Sequence, residues 1–395
     1  MGTVAAVLRA TTERLARDLA KPTATAPGWS EFEWRIARAV ASMHGIAGLL
    51  AGELAWRGPN GWAEFLSRQR EHIARRQLRV EALLASIHER FAQQGIPVQA
   101  LKGAALHLEG VYRQGQRPMA DLDLLTLPLH AVRAGRILET LGLRESHQTF
   151  KHRVFEPRDP APPQRFGEHT ANDVKVELHE RICEPLPHRL TDITQLLSPA
   201  NAAPGLNHYP SPAALMAHLL LHAAGGMAYR TLRLIQLHDI VLVGRRLTPA
   251  DWQQLLDWRP WWAWPPLMLT ERYYGAAAPG ALTEALRTSC SAVLRRACVR
   301  QCLSDVSLSR LWLEAFPGIE WARSTGEAVA FIARRIVPSA AVRSDRKLAL
   351  TTDPSLTQGD WGGLSQSRRI LRALSERTPR PWPLHNVREA LAEPR

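Results

Sequence analysis

The chain has 395 residues, 45% hydrophobic and 22% charged, the balance of an ordinary soluble globular protein and too long for one small core. Its formal net charge of +13 favours polyanionic partners such as nucleotide polyphosphates or nucleic acid. The arginines are spread along the chain, in doublets such as Arg75–Arg76 and Arg295–Arg296, so nucleic acid is supported by charge alone.

In chain order, residues up to about Gly61 read as helices, broken at Lys21–Gly28 and at Gly58–Gly61. Charges at Arg9, Glu13, Arg14, Arg17 and Asp18 interrupt the stretch where a signal peptide needs an apolar core. No apolar run reaches membrane-spanning length, and a cytoplasmic protein is expected. Trp62 to Gln94 follows as one long helix, with Phe65, Ile73, Val80, Leu84, Ile87 and Phe91 at helical spacing and Gly95 as its stop.

The pattern then changes. Pro97–Leu101 reads as a short strand, Ala104–Glu109 as a short helix, Asp121–Thr126 as a second strand and Pro128–Leu141 as a helix. Arg153–Phe155 is a third strand candidate, followed by a proline-rich excursion through Pro157, Pro160, Pro162 and Pro163. Asp173–Glu180 alternates, with Val174, Val176 and Leu178 on one face and Lys175, Glu177 and His179 on the other. From Ser211 onward helices are predicted at 213–223, 232–243, 249–258, 282–302, 308–316 and 326–336. Trp258, Trp261, Trp262 and Trp264 read as an aromatic corner between helices. The polar stretch after about Val342, with Pro354, Pro379, Pro381 and Pro383, reads as loosely ordered. Cys183, Cys290, Cys298 and Cys302 form no C-x-x-C pair, which points to buried reduced thiols rather than a zinc or redox site.

The fold class expected is α+β: a small mixed-sheet core at 95–205, an N-terminal helical arm at 1–94, a helical domain at 206–340 and a tail at 341–395.

The strongest chemical signal is Met119-Ala120-Asp121-Leu122-Asp123-Leu124-Leu125. Strand alternation puts Asp121 and Asp123 on one face, with Cα atoms about 6–7 Å apart, and sends Leu122 and Leu124 into a core. Two such carboxylates suit a hard divalent cation that keeps water and phosphate oxygens as further ligands. Glu177, on the polar face of another strand, is the candidate third carboxylate. Lys102 and Gly103, where a strand runs into a helix start, suit a phosphate: Gly103 allows close backbone approach and Lys102 supplies charge. Arg117 is open between contact with a triphosphate and pairing with an acid. His179 is open between support of the site and plain structure. His218, His222 and Asp239 read as helix-packing residues.

The run Leu101-Lys102-Gly103-Ala104-Ala105-Leu106, then Tyr112, then Arg117-Pro118-Met119-Ala120-Asp121-Leu122-Asp123-Leu124-Leu125, then Val176-Glu177-Leu178-His179, resembles the uncharacterised bacterial nucleotidyltransferase family of the polymerase-beta-like superfamily. The helices beyond it, with His218, His222 and Leu237-His238-Asp239-Ile240, share the resemblance, which covers roughly residues 85–257. It implies that Asp121, Asp123 and Glu177 bind Mg²⁺ or Mn²⁺ and are catalytic, with Glu177 also helping to activate an acceptor hydroxyl. Lys102 and Gly103 stand where the wider superfamily has a Gly-Ser pair, so one phosphate-gripping hydroxyl is missing. The implied reaction moves a nucleoside monophosphate from an NTP, ATP included, to a hydroxyl-bearing acceptor such as a peptide, a protein or a small molecule. The alternative is a non-catalytic protein of the same fold that binds a partner or nucleic acid.

Overall fold

The structure is a computed structural model that describes residues 1–149, 151–160, 166–186, 189–199, 201–352 and 363–393. Pro162, Pro163 and Pro354, read above as loop residues, lie outside these. Four helices open the chain: α1 (Gly2–Ala20), α2 (Glu31–Met43), α3 (Ala47–Glu53) and the 34-residue α4 (Asn60–Gln93). Ser30 starts α2 with a reciprocal cap, its hydroxyl taking the Glu33 N–H while the Glu33 carboxylate takes the Ser30 N–H at 2.7 Å. The chain leaves α4 through Gly95 at φ +65°, a left-handed turn that glycine adopts without steric cost.

The central region holds β1 (Pro97–Ala100), α5 (Lys102–Leu108), β2 (Asp121–Leu125), α6 (Ala131–Thr140), β3 (Leu143–Gln148), β4 (His152–Pro157), β5 (Lys175–His179), β6 (Cys183–Leu186), β7 (Arg189–Asp192), α7 (Thr194–Leu197) and β8 (Gly205–Asn207). Six strands make one mixed sheet in the order β3-β4-β5-β2-β1-β8, and β6 and β7 pair as a separate ribbon. Strand β2 is the pivot, antiparallel to β1 and parallel to β5. Its Leu122 and Leu124 are fully buried, as are Val176 and Leu178 of β5, so the shared apolar face fixes the register of the two strands. This mixed sheet with helices around it is the expected α+β architecture. The sequence reading missed β3, β6, β7 and β8.

The rest is helical: α8 (Pro212–Tyr229), α9 (Leu234–Gly244), α10 (Pro249–Asp257), α11 (Trp264–Tyr274), α12 (Gly280–Ser289), α13 (Ala292–Arg300), α14 (Leu303–Val306), α15 (Thr325–Ile336), α16 (Ala340–Thr352), α17 (Gln366–Ser375) and α18 (Pro381–Ala392). Helix α8 is apolar almost all round and is buried on nearly every side. Among the described residues, no helix is long and apolar enough to cross a membrane.

Two expectations need correction. The predicted helix over 282–302 is two helices, α12 and α13, because the Ser291 hydroxyl accepts the Leu294 N–H and begins a new one. The predicted helix over 308–316 is not helical. Bridges from Ser307 to Leu232 and from Trp312 to Pro379 hold that stretch instead. Within 341–395 the described residues include α17 and α18, and α18 packs on α2 with Val387 and Ala390 buried.

One hydrophobic cluster runs from Leu8 to Ala390, so the first helices share a core with the last. Helix α1 packs on α2, α11 and α14. His44, just past α2, joins these parts. Its Nδ1 accepts the Leu234 N–H at 2.9 Å, and its Nε2 lies 2.8 Å from the Ser309 hydroxyl, which also bonds Thr12. Burial, with the Arg233 charge adding to it, pushes His44 down to about 3, so the folded protein holds it neutral. An unfolded chain protonates the same group near its ordinary value of 6.5. Stability from this group is therefore complete above pH 6.5 and is lost as pH falls below it, by up to about 1.4 kcal/mol per pH unit. Urea unfolding measured from pH 7 to pH 4 should show a His44→Gln variant with a shallower pH dependence than the parent, by about one proton.

Candidate functional site

The β2–β5 register determines what meets what. Asp123 lies directly opposite Glu177, Asp121 opposite Lys175 and Leu125 opposite His179. Two residues along a strand return to the same face, so Asp121, Asp123, Glu177 and His179 all point to one side of the sheet. On the other flank of β5, His152 of β4 pairs with His179. Helices α8 and α9 cover this face and leave a cleft of about 270 Å³. Its wall includes Lys102, Gly103, Arg117, Asp121, Asp123, Glu177 and His179, and also His218, His222 and Asp239, which the sequence reads as helix-packing residues.

The carboxylates are not equivalent. Asp123 is buried and receives Lys102 Nζ at 2.7 Å and His179 Nε2 at 3.0 Å. Burial opposes its charge, but Lys102 and His179 outweigh burial and hold Asp123 well below the usual carboxylate range. In return burial pulls Lys102 and His179 down, while Asp123 and Glu177 more than compensate and leave both raised. Glu177 lies 3.7 Å from His179 and 3.4 Å from His152. Burial disfavours its charge, yet the nearby His179, His152 and Lys102 keep it lowered. Asp121 sits at the mouth of the cleft, hemmed in by protein yet reached by solvent. Desolvation, then Asp123 and Glu177, push it up to about 6. It carries the cost of gathering three acids.

Lys102 has φ +43°, a conformation rare for any residue with a side chain and a form of strain that clusters at functional positions. Its backbone N–H is held by the Tyr209 hydroxyl at 3.2 Å. That hydroxyl bonds His218 Nδ1 at 2.7 Å, and burial keeps His218 well below its ordinary value and hence neutral. His218 thus positions Lys102 through Tyr209.

Arg117 faces the cleft but gives its guanidinium to Asp239 of α9, with Nε and Nη2 at 2.9 and 2.8 Å from the two carboxylate oxygens. Tyr112 completes the group, its hydroxyl 2.5 Å from Asp239 Oδ1. Gly103 is where Arg117 passes, and a β-carbon there would collide with the guanidinium. This close approach by a side chain is a reason for glycine that the sequence alone did not suggest.

Four cleft residues escaped the sequence reading, Lys151, His152, Glu184 and Arg233, as did Tyr209 behind Lys102. Only His152 and Glu184 had a signal available, as polar residues within short strands. Glu184, held down to about 2 against burial by His222 and Lys151, sits 2.6 Å from Lys151. Among the described residues, the group whose ligand atoms all lie within 4.8 Å of one another is His152, Glu177 and His179, not the three carboxylates.

A mixed sheet that presents three acids to a helix-covered cleft has the layout of a nucleotidyltransferase core. Residues 30–259 match the model of a family described as uncharacterised nucleotidyltransferase; that is more than half of the chain, and the protein belongs to this family. The match begins in the helices before the sheet and ends after α10. No curated protein and no solved structure matches the chain significantly.

Two outcomes are expected. Asp239→Ala strands the Arg117 charge in a buried setting and should lower unfolding free energy by about 3–5 kcal/mol, measured by urea titration. Asp121→Asn removes the most strongly repelled charge, so at pH 8 in EDTA the variant should melt above the wild type, measured calorimetrically.

Proposed function

We propose that the protein moves a nucleoside monophosphate from an NTP to a hydroxyl-bearing acceptor, a peptide, a protein or a small molecule, with Asp121, Asp123 and Glu177 holding Mg²⁺ or Mn²⁺. The observation that carries this reading is the Asp123–Glu177 register, which with Asp121 gathers three carboxylates on one face of a cleft. The donor set fits a hard divalent ion: all three are oxygen ligands, and burial, then Asp123 and Glu177, push Asp121 up to about 6, a cost that a bound cation would relieve. When bound, such an ion neutralises phosphate oxygens and stabilises the departing pyrophosphate.

The chain's own residues supply the rest. Lys102, fixed at its backbone by Tyr209, brings a positive charge to the phosphate side of the cleft, beside Gly103. Glu177 is kept ionised by His179 and takes the proton of the acceptor hydroxyl. The acceptor oxygen bonds to the α-phosphorus as the bond to pyrophosphate breaks. The covering helices α8 and α9 limit water, which would otherwise compete with the acceptor.

The His152–Glu177–His179 group supports a second reading of the ion alone. Nitrogen donors favour Mn²⁺ or another transition metal over Mg²⁺. Burial lowers His152 to about 4, which keeps its ring neutral as a ligand must be.

The test is calorimetric titration of ATP, GTP, CTP and UTP with Mg²⁺ or Mn²⁺ into wild type, Asp121→Asn/Asp123→Asn and His152→Ala. One nucleotide should bind in a metal-dependent way, at least 100-fold more weakly to the double variant, and α-labelled but not γ-labelled nucleotide should mark the acceptor. A well-folded wild type that binds none of the four overturns the reading and favours a non-catalytic partner-binding role. Loss of the Mn²⁺ response alone in His152→Ala assigns the ion to the histidine-containing group.

A further inference from the structure

Arg117 and Arg233 both line the cleft beside α9, and only Arg117 is paired with an acid. Arg117 is held by both oxygens of Asp239. Arg233, at the residue preceding α9, also lines the cleft. Its side chain makes one hydrogen bond, from Nε to the Met43 carbonyl at 3.1 Å, and its backbone N–H bonds Gln236 at 2.7 Å. Among the described residues no carboxylate lies within ion-pair distance of it. A guanidinium presents five N–H donors in a planar fork, so most of Arg233's donors are unspent. Burial, with Arg117 adding to it, disfavours its charge, while Glu168 and Asp121 favour it without a contact.

The surroundings hold Arg233 in place. Nη2 lies over Gly45, where a β-carbon would come within 2.5 Å of it, and Gly45 has φ +66°, a conformation that favours glycine. The Met43 carbonyl fixes the other side of the fork. Arg233 is half-buried and held against Met43 and Gly45 without a counter-charge, so its unspent N–H donors are placed to take an anion. Asp121 shares the cleft with Arg233, and each charge shifts the other, yet the two form no ion pair.

We infer that Arg233 grips the β- and γ-phosphates of the bound NTP. A triphosphate whose metal was held by Asp121 would present oxygens to Arg233, whose planar fork matches two phosphate oxygens. The inference rests on the NTP-binding reading of the same cleft. It gives that reading a direction, with the triphosphate tail toward the start of α9 and the rest of the nucleotide away from it.

The experiment compares wild type, Arg233→Lys and Arg233→Gln for calorimetric binding of the preferred NTP, its monophosphate and inorganic tripolyphosphate, all with Mg²⁺ and with melting temperature as the fold check. Arg233→Gln should bind the NTP and tripolyphosphate about 10- to 100-fold more weakly, the range for losing hydrogen bonds between charged groups, and the monophosphate within twofold of wild type. Arg233→Lys, which keeps the charge and loses the fork, should fall between and remains informative if Arg233→Gln does not fold. Equal NTP affinity in a folded variant overturns this inference and leaves the proposed function standing, as does an equal loss for the NTP and the monophosphate. A wild type that binds no NTP overturns both.

Discussion

Carboxylates on neighbouring strands repel one another, and the middle of this protein is arranged around that repulsion. The β2–β5 register puts Asp123 beside Glu177 with Asp121 one step away on the same face. The register is held from the opposite face, where Leu122, Leu124, Val176 and Leu178 are buried. A slip of one residue would turn the acids into the core and the leucines into the cleft. The hydrophobic core therefore supplies the force that keeps three acids together.

Compensation comes from groups placed by tertiary structure. Lys102 and His179 both reach Asp123, and Glu177 leans on His179. Asp121 is left with the unbalanced share. The strain is not only electrostatic, since the residue that delivers the lysine amine is itself in a left-handed conformation, pinned by Tyr209 and His218 from the helical side. Strained backbone persists only where its surroundings determine it fully, and here those surroundings extend from β1 to α8.

What the sequence revealed follows from the range of the forces involved. The alternation of β2 and β5 is local, and it exposed Asp121, Asp123, Glu177 and His179 as residues of a common face. The edge strands were hidden for physical reasons. Strand β3, Leu-Arg-Glu-Ser-His-Gln, is mostly exposed and polar, β6 carries Pro185, and β8 is three residues long. The stretch 308–316 has helical spacing, yet bridges to Leu232 and Pro379 override it, which shows tertiary contacts prevailing over local propensity. The break inside 282–302 was legible in principle, because Ser291 is a good N-cap.

The two arginines of the cleft show where local reading ends. Both Arg117 and Arg233 pass over a glycine, Gly103 and Gly45, and both meet the start or the face of α9. Nothing in their flanking residues distinguishes them. What does is Asp239, six residues beyond Arg233, roughly one and two-thirds turns along α9. That offset carries Asp239 away from Arg233 and toward Arg117, across a loop more than a hundred residues distant in sequence. One helix thus neutralises the arginine that belongs to the sheet and leaves uncompensated the arginine that precedes it. The charge left in the cleft is set by the docking of α9 on the sheet, and it points to a ligand that brings its own negative charge.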